Sequence, residues 1–203
     1  MRMDAPSALT AGLVAGIAIA AQVGAVSLLL VDTALVTGPR AAVAAGMGVA
    51  TADFGFAVLA VLGGGAAGAA LSGHEFEIRL VAAVTLAVIA IYGLVKSSGG
   101  EARDVVATRS ARAQYSRFLA ITAVNPLTIA SFAAVAASLS LHGLVPYAAF
   151  VAGVGAASAG WHAFLTLSAA HVGRWITPRV QRGLGMAGRV AILALAARLV
   201  LAA

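Results

Sequence analysis

Pro39-Arg40-Ala41-Ala42-Val43-Ala44-Ala45-Gly46-Met47-Gly48-Val49-Ala50-Thr51-Ala52-Asp53-Phe54 recurs further along the chain as Pro146-Tyr147-Ala148-Ala149-Phe150-Val151-Ala152-Gly153-Val154-Gly155-Ala156-Ala157-Ser158-Ala159-Gly160-Trp161. The proline, both glycines and most of the alanines superpose without a gap, and Thr51 and Phe54 are answered by Ser158 and Trp161. Each copy opens the second apolar segment of its half of the chain. Three membrane helices per half, an odd number, make the second half enter the bilayer with the opposite orientation, as in inverted-repeat membrane proteins.

The composition demands a bilayer. Hydrophobic residues make up 62% of the 203 residues and charged residues 10%, and the mean hydropathy is +1.01. A soluble domain of this size needs a far more polar surface. The charges fall in clusters, and the apolar runs between them are about 20 residues long, enough for a helix to cross roughly 30 Å of hydrocarbon. Six spans are expected, over residues 8–31, 41–62, 78–95, 118–141, 145–171 and 184–201. The runs are continuously apolar and do not alternate, which excludes a strand barrel. The fold class expected is therefore all-α integral membrane, with six transmembrane helices as a 3+3 inverted repeat. Residues 1–96 form the first repeat, 97–117 a cytoplasmic linker and 118–203 the second repeat. Gly63-Gly64-Gly65 is expected to end the second span, and Gly73-His74-Glu75 to turn the chain. The first span is too long for a signal peptide and lacks a cleavage site, so it is expected in the mature protein.

Arg40, the group from Lys96 to Arg117, and Arg174, Arg179 and Arg182 all fall in the odd-numbered loops. The positive-inside rule then places these loops in the cytoplasm and both termini outside. Membrane topology accounts for the formal charge of +6, so no nucleic-acid partner is expected. With no cysteine there is neither a disulfide nor a thiolate metal site. Gly12-x-x-x-Gly16 and Gly64-x-x-x-Gly68 let helix backbones approach closely, either within the chain or at the seam of a homodimer.

Asp53 is the polar residue at membrane depth with the most to explain. It lies roughly 18 Å along its helix from Ala41, near the midplane. A carboxylate there costs at least about 2.5 kcal/mol, so it faces a protein cavity and holds a cation or a proton, or else is neutralised by an arginine or by donors such as Thr51. Gln22-Val23-Gly24-Ala25, in the middle of the first span, is a place for the helix to unwind. Asn125-Pro126 does the same in the fourth span, because proline lacks a backbone donor and disfavours helix in the residue before it. A broken first helix in each half is the pattern expected where unwound backbone lines a central site. The alternative at Asn125-Pro126 is a plain kink satisfied by Thr122 or Ser131. His162 falls close to the repeat equivalent of Asp53 and serves either a proton relay with Asp53 or packing. Arg189 and Arg198 snorkel from the last span or meet a substrate carboxylate. Ser158 and His162 stand one helical turn apart, which without an oxyanion hole or supporting base makes no hydrolase. No metalloprotease, phosphate-loop or paired-carboxylate motif is present, so neither an enzyme nor a cofactor is expected.

The Gln-Val-Gly-Ala-Val-Ser break beginning at Gln22, the run Gly46-x-Gly48-x-Ala50-Thr51-Ala52-Asp53, the motif Asn125-Pro126-Leu127-Thr128-Ile129 and the closing arginine-containing helix together resemble the lysine-exporter (LysE-type) family of amino-acid efflux proteins. The resemblance runs over nearly the whole chain. It implies a small bacterial inner-membrane protein of two inverted halves that exports amino acids or related metabolites by antiport with protons. It assigns the first break to Gln22, Val23, Gly24 and Ala25, the acidic position to Asp53, and the second break to Asn125 and Pro126. Gln22 stands where the family motif has proline, and Leu127 where lysine often follows. The expected substrate and proton site is thus Asp53, Gln22, Gly24, Asn125, Pro126 and His162. The rival readings are a metal-ion exporter of a related fold and a non-transporting membrane scaffold.

Overall fold

The computed structural model describes residues 3–22, 25–71, 110–138 and 141–175, save Ser72 and a few neighbours beyond Leu71, together with scattered positions between 73 and 91 and between 177 and 197. Among them the regular structure is helical throughout, in six elements: α1 (Ala5–Ala20), α2 (Ala25–Val36), α3 (Pro39–Leu71), α4 (Ala111–Ala123), α5 (Pro126–Ser138) and α6 (Leu144–Gly173). These six account for four of the expected spans. The first span is the pair α1 and α2, the second is α3, the fourth is the pair α4 and α5, and the fifth is α6. The third and sixth spans lie largely outside the described residues. In the third span, the described positions Leu80, Val84, Val88 and Ile91 are helical and exposed, an apolar stripe at helical spacing suited to lipid.

By length and composition Pro39–Gly63 and Leu144–Gly173 can each cross a bilayer, and α4 with α5 forms a third candidate bent by 60°. Pro39 opens α3 and Pro146 sits in the first turn of α6, where a missing N–H breaks no intrahelical bond. Asp4 caps α1 by accepting from the Ser7 N–H at 3.0 Å, and these hydrogen bonds hold its carboxyl below the usual carboxylate range. Ser110 caps α4 by accepting from the Ala113 N–H at 3.2 Å, so helix begins within the last residues of the expected linker. Residues 97–109 lie outside the described residues.

The second span, Pro39–Gly63, ends where the glycines begin, while the helix itself continues to Leu71. Helix satisfies each backbone group within the segment, and this outweighs glycine's low helix propensity. The turn follows at Gly73, whose φ of 84° is one that a residue with a Cβ seldom adopts.

Glycine lets the helices pack at backbone distance. A Cβ on Gly12 would overlap the Phe150 carbonyl oxygen, and one on Gly16 would lie 2.9 Å from the Val154 backbone. The Gly12/Gly16 spacing is therefore used inside the chain, to seat α1 on α6. From the other side of this seam, Gly153 faces the Leu9 carbonyl. In the first half, Gly48 meets the Tyr115 carbonyl of α4. Each long helix thus packs through a glycine of the recurring stretch onto the first helix of the opposite half. The surroundings of Gly64 and Gly68 lie outside the described residues.

Candidate functional site

On α3, Ala45, Val49, Asp53, Ala57 and Val61 follow one another every four residues, and all are buried. On α6, Val154, Ser158, His162, Thr166 and Ala170 do the same. Residues four apart share a helix face, so each long helix turns a buried stripe inward, and the polar members of the two stripes meet. Ser158 Oγ donates to Asp53 Oδ2 at 2.6 Å. His162 Nδ1 lies 2.9 Å from the Ser158 carbonyl oxygen and 3.2 Å from its Oγ. Asp53 is 3% exposed, Ser158 0% and His162 2%. Asp53 and His162 are brought together, with Ser158 between them.

Both helix breaks open beside this cluster. α1 ends at Ala20 and α2 begins at Ala25, at the position the sequence marks for unwinding. Gln22 keeps a backbone bond to the Ile19 carbonyl, and its own carbonyl accepts from the Ser27 hydroxyl at 3.1 Å. Val23 and Gly24 lie outside the described residues. In the second half, Asn125 caps α5 with its side chain. Oδ1 accepts from the Leu127 N–H at 3.2 Å, and Nδ2 donates to Thr128 Oγ1 at 2.9 Å. Pro126 opens α5 and is buried. Ser131 donates to the Leu127 carbonyl at 2.8 Å, so it satisfies backbone just past the bend. Asn125→Ala would leave the Leu127 N–H without its cap, a loss of about 1 kcal/mol. The expected outcome is a lower thermal midpoint in detergent, and an unchanged midpoint would show that the cap contributes nothing.

A cavity of about 40 Å³ collects these parts, lined by Gln22, Asp53, Asn125 and His162 and by the hydroxyl-bearing Ser27, Thr122 and Thr128. That volume holds a few waters at roughly 10–15 Å³ each. Four of the six residues expected at the site therefore share one cavity. Pro126 stands just behind it, and Gly24 falls outside the described residues, as do Arg189 and Arg198. His171 and Trp175 are exposed at the far end of α6, with rings 6.2 Å apart.

Several hydroxyls elsewhere in these helices bond to their own helix. Thr51 donates to the Met47 carbonyl, Thr166 to that of His162 and Thr10 to that of Pro6, the habitual bond to the preceding turn. Ser158 instead reaches across to another helix. Thr122 Oγ1, 1% exposed and on the cavity wall, has no hydrogen-bond partner among the described residues. Such a buried hydroxyl is expensive unless water or a ligand reaches it. Sequence reasoning did not place Ser158 or Thr122 in the site. The signal for Ser158 was its position one turn before His162, within the recurring stretch that also supplies Asp53. Among the described residues no three metal-ligating side chains gather.

Neither a search of curated proteins nor one of solved structures finds a match. The family model for the LysE type translocator matches residues 17–203, a span that takes in both helix breaks, Asp53 and His162. Matched over most of its length, this all-helical, apolar chain belongs to the LysE type translocator family.

Proposed function

We propose that this protein exports a small zwitterionic or cationic amino acid, or a related metabolite, by proton-coupled alternating access. The substrate ammonium binds Asp53, and the substrate carboxylate is received at the interrupted helices near Gly24 and Asn125. The observation that carries this reading is the position of Asp53, an ionisable group 3% exposed on the wall of a cavity shared with both breaks. Helix N-termini favour anions, and the amide of Asn125 occupies the Leu127 N–H that a substrate carboxylate would take over. At about 40 Å³ the cavity has no room for an amino acid, so entry requires the halves to part at the breaks.

The glycine contacts of α3 with α4 and of α6 with α1 support two inverted halves that rock about a midplane site. With both termini outside, the basic loops face the cytoplasm, from which substrate is drawn. Protonation of Asp53 from outside weakens its hold on the cation and favours release.

The reading is tested by efflux from cells overproducing the protein and loaded with a dipeptide mixture, with extracellular amino acids profiled against a control lacking it. Selective release of one or a few amino acids is expected. Identical profiles, with the protein shown to be in the membrane, would remove amino-acid export for the set tested.

A further inference from the structure

We propose that Ser158 is a proton-relay residue, passing protons that reach His162 from the cavity to the carboxylate of Asp53. The proposal rests on the proton-coupled reading above and adds to it a route and a direction.

The direction follows from which atoms can donate. A backbone carbonyl only accepts, so the 2.9 Å contact between His162 Nδ1 and the Ser158 carbonyl requires a proton on Nδ1. The same N–H has Ser158 Oγ as a second acceptor at 3.2 Å. An ionised carboxylate only accepts, and 2.6 Å is in the range of a hydroxyl donating to a carboxylate. The bonds therefore run in one sense, from Nδ1–H to Oγ and from Oγ–H to Oδ2. With Nδ1 protonated, Nε2 is the basic nitrogen of the neutral ring, and His162 lines the cavity.

The step balances without a further reactant. A proton arriving through cavity water bonds to Nε2. The Nδ1–H bond breaks as a new Oγ–H bond forms, and the original Oγ–H bond breaks as Oδ2–H forms. One proton enters, one resides on Asp53, and serine and imidazole both end neutral. The ring then carries its proton on Nε2 and turns the Nδ1 lone pair toward the Ser158 carbonyl. That repulsive contact favours the reverse transfer once Asp53 is free to release its proton, so the carbonyl resets the relay. The proton reaches Oδ2 through the protein, which leaves the other carboxylate oxygen for the ammonium of the substrate.

Apart from Asp53, the charged and titratable groups on the helices packed against α6 are elsewhere. Among the described residues they are Asp4 in the cap of α1, Asp32 in α2 and Arg40 in α3, with Arg112, Tyr115 and Arg117 in α4, which packs on α3, and none of these lines the cavity. Tyr115 donates its hydroxyl to Thr51 at 3.1 Å. Thr166, two turns on, bonds to the preceding turn, whereas the Ser158 hydroxyl hydrogen is committed to Asp53.

Two measurements on the full-length protein test the relay. In proteoliposomes, Ser158→Ala is expected to lower substrate movement driven by an imposed pH gradient at least tenfold, while substrate exchange at equal pH falls less than threefold. Ser158→Thr, which keeps the hydroxyl, is expected to restore the gradient-driven component. Gradient-driven movement unchanged in Ser158→Ala, or equal losses in both assays, overturns the relay. If the wild type moves no amino acid in either assay, the exporter reading has failed, and the relay is judged by spectroscopy alone. Nitrogen-15 resonances of His162 are expected to report the Nδ1–H tautomer. The infrared band of protonated Asp53, identified by its loss in Asp53→Asn, is expected to shift in Ser158→Ala. An Nε2–H tautomer in the resting protein, or a band unmoved by Ser158→Ala, overturns the relay.

Discussion

Asp53→Asn is expected to cut net efflux severely while making the protein more stable. The amide has the volume of the carboxylate, and its oxygen still accepts from Ser158 Oγ, so the contact between α3 and α6 survives. What disappears is the charge that holds a cation and the group that takes up a proton. Export should fall by at least roughly tenfold, the factor that 1.4 kcal/mol of lost interaction represents. The desolvation cost disappears with the charge, at least about 2.5 kcal/mol on insertion scales, so the thermal midpoint in detergent should rise. Opposite signs for activity and stability are the mark of a group retained for function. Asp53→Ala should also be inactive, but it leaves Ser158 without its partner and should be less stable than Asp53→Asn. An Asp53→Asn protein that exports at the wild-type rate, beside an inactive Asp53→Ala, would show that Asp53 has no titrating role.

Gly12→Ala is expected to be among the most damaging single-methyl changes in the chain. The added Cβ overlaps the backbone oxygen of Phe150, and a backbone cannot rotate away as a side chain can. The helices must separate, and overpacking of this kind costs roughly 1–3 kcal/mol. Gly160→Ala is the control, since a Cβ there meets nothing within 4 Å among the described residues. In a helix interior that change should gain up to about 1 kcal/mol from propensity alone. Thermal unfolding of both variants in one detergent should therefore move in opposite directions. Equal shifts of the same sign would mean that the seam between α1 and α6 is not the tight contact described above. Because α1 carries the first break at its end, Gly12→Ala should also displace Gln22 and reduce export.

Much of this architecture is legible in the residues. The chemistry of proline is local, so Asn125-Pro126 marks its bend without reference to any neighbour, and the 60° turn between α4 and α5 falls there. The interruption after Ala20 falls at the Gln22 to Ala25 stretch for a similar reason. Gly63-Gly64-Gly65 marks where the apolar span Pro39–Gly63 stops but not where the helix does, because glycine breaks a helix only where water can take over the backbone bonds. Asn125 is legible as a break but not as a cap. Its commitment to the Leu127 N–H and Thr128 depends on a side-chain torsion that no spacing reveals. Ser158 is marked in the sequence by its place in the recurring stretch, which does not reveal its partner on α3.

The amino-acid sequence settles that the chain lives in a bilayer, where its helices are interrupted, and that Asp53 must have a reason to be at depth. These conclusions need only composition, helical rise and the cost of burying charge. The meeting of Asp53, Ser158 and His162, the unpartnered hydroxyl of Thr122 and the seating of Gly12 against Phe150 emerge only when the helices are packed. In a soluble protein, an apolar stripe on an otherwise polar helix announces which face turns inward. Here lipid and protein interior are equally apolar, so most of each helix reads alike all round. The facing surfaces are selected by close contact between small residues and by polar groups finding one another.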